Sequence, residues 1–376
     1  MGDKDNMVNK DNMVKKIKWR KVMLVIGIIG ACVCIILLGM SLYGRHKLSK
    51  LPGLSFQEAL EYTTEGKEDA VITVGIIKDG QISYTVYGEN GSELTKELHT
   101  YEIGSLTKTF TSALINKAAN EGKLDLESTI DRYLSLPKGK GYPTIKELLT
   151  HTSGYKSYYF ESIMLSNFFK GRNDFYGITK DMVLGKAGEL NLDKESYSFV
   201  YSNYGYAVLG LLLESVYEKD YTSLMNEFIH KELGLVNTRI ADKEGDLGNY
   251  WDWKEQDAYL SAGALTSDIA DMLAYAQMQL ENSPYFTECH KSLKVINAST
   301  KQYELMGIHM DEIGMAWIID KENEIIWHNG GTGAYNSYLG FQPEAGVAVV
   351  VLSNLPPNDR IPATVLGVKV FTELGY

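Results

Sequence analysis

Residues 101–121 read YEIGSLTKTFTSALINKAANE, and the rest of the chain is organised around this stretch. Leu106, Phe110, Leu114 and Ala118 recur at helical spacing, so Ser105–Glu121 is expected to form an amphipathic helix that ends in the Asn120-Glu121-Gly122 region. Ser105 and Lys108 stand three residues apart at its start, which puts a hydroxyl and an amine on one face. A serine hydroxyl needs a neighbouring base to become a nucleophile. A desolvated lysine amine supplies one, and the helix N-terminus offers partial positive charge to a developing oxyanion. Taken alone, the same pattern also describes an N-capping serine and a solvated lysine.

S-x-x-K occurs twice more, at Ser135–Lys138 and Ser153–Lys156. Pro137 interrupts the first and Gly154 the second, so neither fits the opening turn of a helix. Tyr201-Ser202-Asn203, in YSNYGYAVLG, holds the only Y-x-N. It offers a proton-carrying phenol and an amide that can hold both an acyl group and a lysine amine. His328-Asn329-Gly330-Gly331-Thr332-Gly333 follows a strand-like run, and its glycines let a strand edge approach a substrate and lend a backbone N–H.

Outward from these motifs, Val71–Ile77 and Gln81–Tyr87 read as a hairpin through Lys78-Asp79-Gly80. Residues 144–150, 204–220 and 267–280 read as helices, the last with Ser267 or Asp268 as N-cap. Glu324–His328, Ser337–Gln342 and Val347–Ser353 read as strands, followed by a helix to Thr372. Strands at both ends with helices between predict one α/β unit. Its antiparallel sheet would be assembled from the two termini and flanked by helices, with a helical lobe over about 125–255 inserted and a cleft between the lobes. Residues 155–169 (YKSYYFESIMLSNFF) are expected to pack that lobe rather than form a lid over the cleft.

The first fifty residues differ in kind. They hold ten Lys/Arg and three Asp, a net of +7, which leaves −18 of the chain's −11 for residues 51–376. So acidic a body repels phosphate backbones, which excludes a nucleic-acid partner. Val22–Gly44 carries no charge over 23 residues, enough for a transmembrane helix. The heavier basic flank precedes it, which predicts a cytoplasmic tail over 1–21, a linker over 45–54 and an extracytoplasmic domain over 55–376. A cleaved signal, or lipidation at Cys32 in a lipobox-like Ile29–Cys32, are the alternatives. Only Cys289 remains in the outer body, so no internal disulfide forms there.

The order S-x-x-K, Y-x-N, H-x-G, together with LLTHTSGY at 148–155, SAGALTSDIADMLAYA at 261–276 and IGMAW, resembles the serine β-lactamase and penicillin-binding-protein superfamily. The branch is the class-C-like one, with its D-alanyl-D-alanine carboxypeptidases, D-aminopeptidases and esterases, and the resemblance covers about residues 55–370. It implies a β-lactamase-like fold. Ser105 would be the acylated nucleophile, Lys108 its base or orienting group and Tyr201 the proton relay. Asn203 would anchor the network and the substrate. His328 would share proton traffic or orient a substrate carboxylate. The backbone N–H groups of Ser105 and Gly331 would form the oxyanion hole, with Gly330, Gly331 and Thr332 along the substrate, and His151 would be structural. No cofactor or metal is implied.

His328 stands where true β-lactamases carry Lys, and the class A deacylating Glu has no counterpart. Peptidase or esterase action is therefore placed above antibiotic destruction. The expected activity is hydrolysis of D-alanyl peptides or esters at the cell wall, with β-lactams as possible acylating ligands. The rivals are an esterase on lipid or small-molecule esters and a slowly acylating penicillin-binding sensor.

Overall fold

The first strand of the body pairs with the last. In the computed structural model, which describes residues 51–192, 196–241, 244–281, 283 and 285–376, β1 (Ile72–Lys78) lies between β2 (Gln81–Tyr87) and β11 (Val347–Ser353). The antiparallel sheet continues through β10 (Asn336–Gln342), β9 (Ile325–Gly331), β8 (Ile318–Asp320), β7 (Glu312–Ile313) and β6 (Lys294–Val295). Both residues of the Asp79-Gly80 turn have positive φ, the geometry a two-residue hairpin needs to match the strand twist. Val347–Ser353 is buried at every position. Its continuous apolar run, rather than an alternating one, follows from helices on both faces. Each buried valine contributes roughly 1.5–3 kcal/mol.

The helix Ile269–Leu280 covers one face and the helix Ala363–Leu374 the other. Gly75 permits the first contact, because a Cβ there would lie 2.8 Å from Ile269 Cδ1. Asp268 caps the first helix by accepting from Asp271 N–H. The expected helical lobe contains the helices Ile145–Leu149, Ser162–Phe169, Lys180–Glu189, Asn203–Tyr217 and Tyr221–Glu227.

Three features depart from the sequence expectation. The large sheet has three further strands, β6 to β8, on the side away from the N-terminal hairpin. A second sheet, in the order β3 (Tyr101–Glu102), β5 (Leu265–Ser267), β4 (Arg239–Ile240), joins segments too short to show a period. Residues 155–169 pack only on their inner side. Tyr155 and Met164 are buried, whereas Tyr158, Phe160, Leu165, Phe168 and Phe169 face outward, the last at 78% exposure.

The run 22–44 with its flanks, and with it Cys32 and the expected membrane helix, lies outside the described residues. Among the described residues no helix is long and apolar enough to cross a membrane.

Candidate active site

Ser105 does not open the α-helix. It sits in a 3-10 turn, Gly104–Leu106, that runs into the helix Thr107–Asn120. At three residues per turn, positions i and i+3 stack more closely than in an α-helix. Lys108 Nζ accordingly lies 2.9 Å from Ser105 Oγ. It also contacts Asn203 Oδ1 at 2.8 Å and donates to the Ala262 carbonyl at 2.6 Å. The β3–β5 pairing holds these partners in register, because it ties the segment before Ser105 to the segment after Ala262.

Lys108 is fully buried, and desolvation drives its amine well below the usual lysine range. A neutral amine has two hydrogens and one lone pair. With the hydrogens given to Asn203 Oδ1 and Ala262 O, the lone pair faces the Ser105 hydroxyl. The Tyr201 ring lies 4.9 Å from the same nitrogen. Burial raises the Tyr201 phenol above its ordinary range, and the Ser105 hydroxyl offsets this only in part. The phenol therefore stays protonated and remains a donor.

The middle residue of Y-S-N organises the motif. Ser202 caps the helix Asn203–Tyr217 by accepting from Gly205 N–H at 2.8 Å, and its hydroxyl donates to Lys156 O at 2.7 Å. Its own N–H donates to His151 Nδ1 at 3.0 Å, and Val200 N–H donates to His151 O at 2.9 Å. The LLTHTSGY segment is thus the floor on which Tyr201 and Asn203 rest. His151 adopts a left-handed conformation (φ 56°), and its ring lies 4.6 Å from the Tyr201 ring. Burial first, then the neighbouring Lys108 and His328, hold it well below the usual imidazole range.

β9 runs past His328 through Gly331, three residues beyond the strand Glu324–His328 expected from the sequence. Thr332 N–H bonds to Tyr335 O. In an antiparallel ladder the adjacent Gly331 N–H then points away from β10. The Gly331 backbone packs against Gly104, where a Cβ would lie 2.6 Å from Gly331 N. A Cβ on Gly330 would fall 1.9 Å from Ile103 O. These close approaches, and the positive φ of Gly104, require glycine.

His328 Nδ1 lies 2.6 Å from Asn329 O and must be the donor, which leaves Nε2 as an acceptor. Burial first, and then the neighbouring Lys108, push its pKa down to about 3, so this imidazole is neutral. A cationic hold on a substrate carboxylate, one of the two roles expected for it, is not available from this group.

Ser105 and Gly331 line two cavities. The larger, about 320 Å³, is walled by Tyr201, His328, His151, Phe199, Trp327 and their neighbours, including Gly330. The smaller, about 60 Å³, is walled by Asn203, Phe175, Trp251, Trp253 and Tyr259. Thr332, expected along the substrate, lines neither. Its hydroxyl donates to buried Glu102 at 2.5 Å, and the other Glu102 oxygen accepts from Trp251 N–H at 2.6 Å. Ser135 and Ser153 are not at this site.

Sequence reasoning missed Glu102, the two tryptophans and the Ala262 carbonyl. A backbone acceptor carries no side-chain signal, but an acidic residue within an otherwise apolar approach to Ser105 was a visible one.

Comparison with known proteins bears on the family and the fold. The beta-lactamase family model matches residues 61–367. Protein flp of Staphylococcus aureus is 26% identical over 321 residues, 77% of this chain and 60% of that protein. The chain thus spans about 60% of the length of the first such relatives. The octameric penicillin-binding protein homologue from Pyrococcus abyssi superposes with a TM-score of 0.66 at 23% identity, over 85% of this chain and 75% of that one. A beta-lactamase/D-alanine carboxypeptidase from Yersinia pestis gives 0.66 at 21% identity, over 88% and 99%.

Proposed function

The chain belongs to the beta-lactamase family of serine hydrolases, and on that premise we propose that it cleaves D-alanyl peptides or esters outside the cytoplasm through an acyl-enzyme on Ser105. One observation carries the reading: the buried Lys108 amine has two of its three contacts occupied by carbonyl oxygens and its third directed at Ser105 Oγ.

Lys108 takes the Ser105 proton as Oγ bonds to the substrate carbonyl carbon. The charge on the carbonyl oxygen is met by the Ser105 and Gly331 N–H groups. As the intermediate collapses, Tyr201 gives its proton to the departing oxygen or nitrogen and is restored from the Lys108 ammonium. Water then attacks the acyl-Ser105 ester: Lys108 takes the phenol proton of Tyr201 as Tyr201 takes that of the water, and the proton returns by the same route to Ser105 Oγ as it departs. Asn203 holds Lys108 and faces the acyl side.

The charge-free run 22–44 and its basic flanks support an anchor with the body outside. A second reading, hydrolysis of lipid or small-molecule esters at the membrane surface, is favoured by the outward aromatics Phe160, Phe168 and Phe169.

Labelling of the full-length chain with a fluorescent penicillin and a fluorophosphonate tests the acyl-enzyme. Ser105 is expected to carry the adduct, and Ser105→Ala to abolish it. An adduct at Ser135 or Ser153 would overturn the assignment. Turnover of D-alanyl esters and D-Ala-D-Ala peptides against nitrophenyl esters separates the two substrate readings.

A further inference from the structure

Resting on the acyl-enzyme reading, we infer that the large chamber beside Ser105 accepts a leaving group that is uncharged and mostly apolar, while the small recess accepts a short acyl part. Direction follows from the proton donor. The bond that breaks must point toward Tyr201, which lines the 320 Å³ chamber and not the 60 Å³ recess. Asn203 lines only the recess. The reacting carbonyl therefore sits at the Ser105–Gly331 boundary, with the acyl chain toward Asn203.

Among the described residues the chamber has no counter-ion for a carboxylate. Met310, Ile318, Trp327, Phe199 and Pro357 form much of its wall, and among the described residues no Lys, Arg, Asp or Glu lines it. Its two histidines are fixed as opposite neutral tautomers by their backbone partners. His328 donates through Nδ1 to Asn329 O and presents Nε2 as an acceptor. His151 accepts at Nδ1 from Ser202 N–H, so its hydrogen is on Nε2, a buried atom without a partner among the described residues. Lys108 lines neither cavity and is enclosed behind Ser105. A carboxylate placed here would lose its hydration and gain no cation. The acidic body, at −18 over residues 51–376, opposes its approach as well.

The recess has about a fifth of the chamber's volume and aromatic walls. Phe175 stacks on Tyr259 at 4.3 Å, and Trp253 Nε1 is buried there without a partner among the described residues. An acyl group of alanine size with one acceptor fits these walls. Among D-alanyl substrates the inference selects those whose D-alanyl group is the acyl part, joined to a neutral alcohol or amine. It rejects those that release a free amino acid carboxylate.

The test uses the full-length chain and two esters of one acyl group, acetyl, on phenol and on 3-hydroxybenzoate, whose phenolic leaving groups are similarly basic. The expected kcat/KM ratio is about 100 in favour of the phenyl ester. His328→Lys is expected to lower that ratio at least tenfold. A wild-type ratio within threefold, with Ser105 acylated by both esters, would overturn this inference and leave the acyl-enzyme reading standing. Failure of Ser105 to react with either ester or with a fluorophosphonate would remove both. The wild-type comparison decides the matter even if His328→Lys fails to fold.

Discussion

The Ser202 N–H donates to His151 Nδ1 across 3.0 Å, among the described residues the one side-chain acceptor in the bonds that tie the segment carrying Tyr201 and Asn203 to residues 151–157. Ser202 is also the N-cap of the helix that begins at Asn203. His151 therefore fixes the cap, the cap fixes the first helical residue, and the first helical residue holds Lys108.

His151 is accordingly a positioning residue, and its removal should be felt in turnover rather than in binding. His151→Ala is expected to lower kcat about 10–100-fold with KM little changed, in line with the sensitivity of catalysis to small misplacements. His151→Asn, whose Oδ1 can accept the Ser202 N–H, should restore a large part of that loss. Equal damage in both variants, or a loss confined to thermal stability, would make the residue merely structural.

Lys108 sets the rising limb of the pH profile. Its amine must be free of its proton to act as base, and burial lowers its pKa well below the ordinary lysine value. The kcat/KM of the full-length chain should climb through that lowered pKa and level off at higher pH. Lys108→Ala should slow acylation by ~10²–10⁴-fold, the range for loss of a general base. Tyr201→Phe should slow both acylation and deacylation. Near-normal single-turnover rates in both variants would break the mechanism.

The three short motifs were legible because each is local: Ser105 and Lys108 share one turn, and Tyr201 and Asn203 flank one cap. The strands of the central sheet were legible where they are seven residues long, as in β1, β2 and β11. The small sheet was not, because strands of two or three residues show no period, although they fix Ala262 against Lys108. The bond of Thr332 to Glu102 was not legible, because its position beside Gly331 suggests substrate and only the fold brings Glu102 to its hydroxyl. The neutral state of His328 was equally invisible, since it depends on burial in the folded chain, and its tautomer on Asn329 O.

Buried neutral histidines make the body acid-sensitive. His328 is lowered to about 3 and His290 to about 4, both chiefly by burial, and His151 is lowered as well. A depressed folded pKa means that the unfolded chain takes the proton first, so stability is lost as pH falls from about 6.5 toward those values. By pH 5 each of His328 and His290 should cost roughly 2 kcal/mol relative to pH 7. Thermal melts of wild type and His328→Gln at pH 7 and pH 5 check this. The variant should show the smaller drop, and identical drops would refute the assignment.

Glu102 works in the opposite direction. Burial raises its carboxyl to about 7 from an ordinary 4.5, against the hydrogen bonds from Thr332 and Trp251 that favour the ionised form. The folded state therefore holds the proton more tightly than the unfolded chain. Stability from this group is complete below about 4.5 and is lost as pH rises toward about 7. The shift corresponds to roughly 2–4 kcal/mol. Glu102→Gln keeps the shape but cannot titrate, so its melting temperature relative to wild type should improve steadily between pH 4.5 and 7. A difference that is constant across that window would show that Glu102 keeps one protonation state throughout. The same carboxyl joins Thr332, next to Gly331, to Trp251 at the rim of the acyl recess. Its ionisation therefore bears on the oxyanion strand as well, and kcat of wild type, but not of the glutamine variant, should carry an inflexion near pH 7.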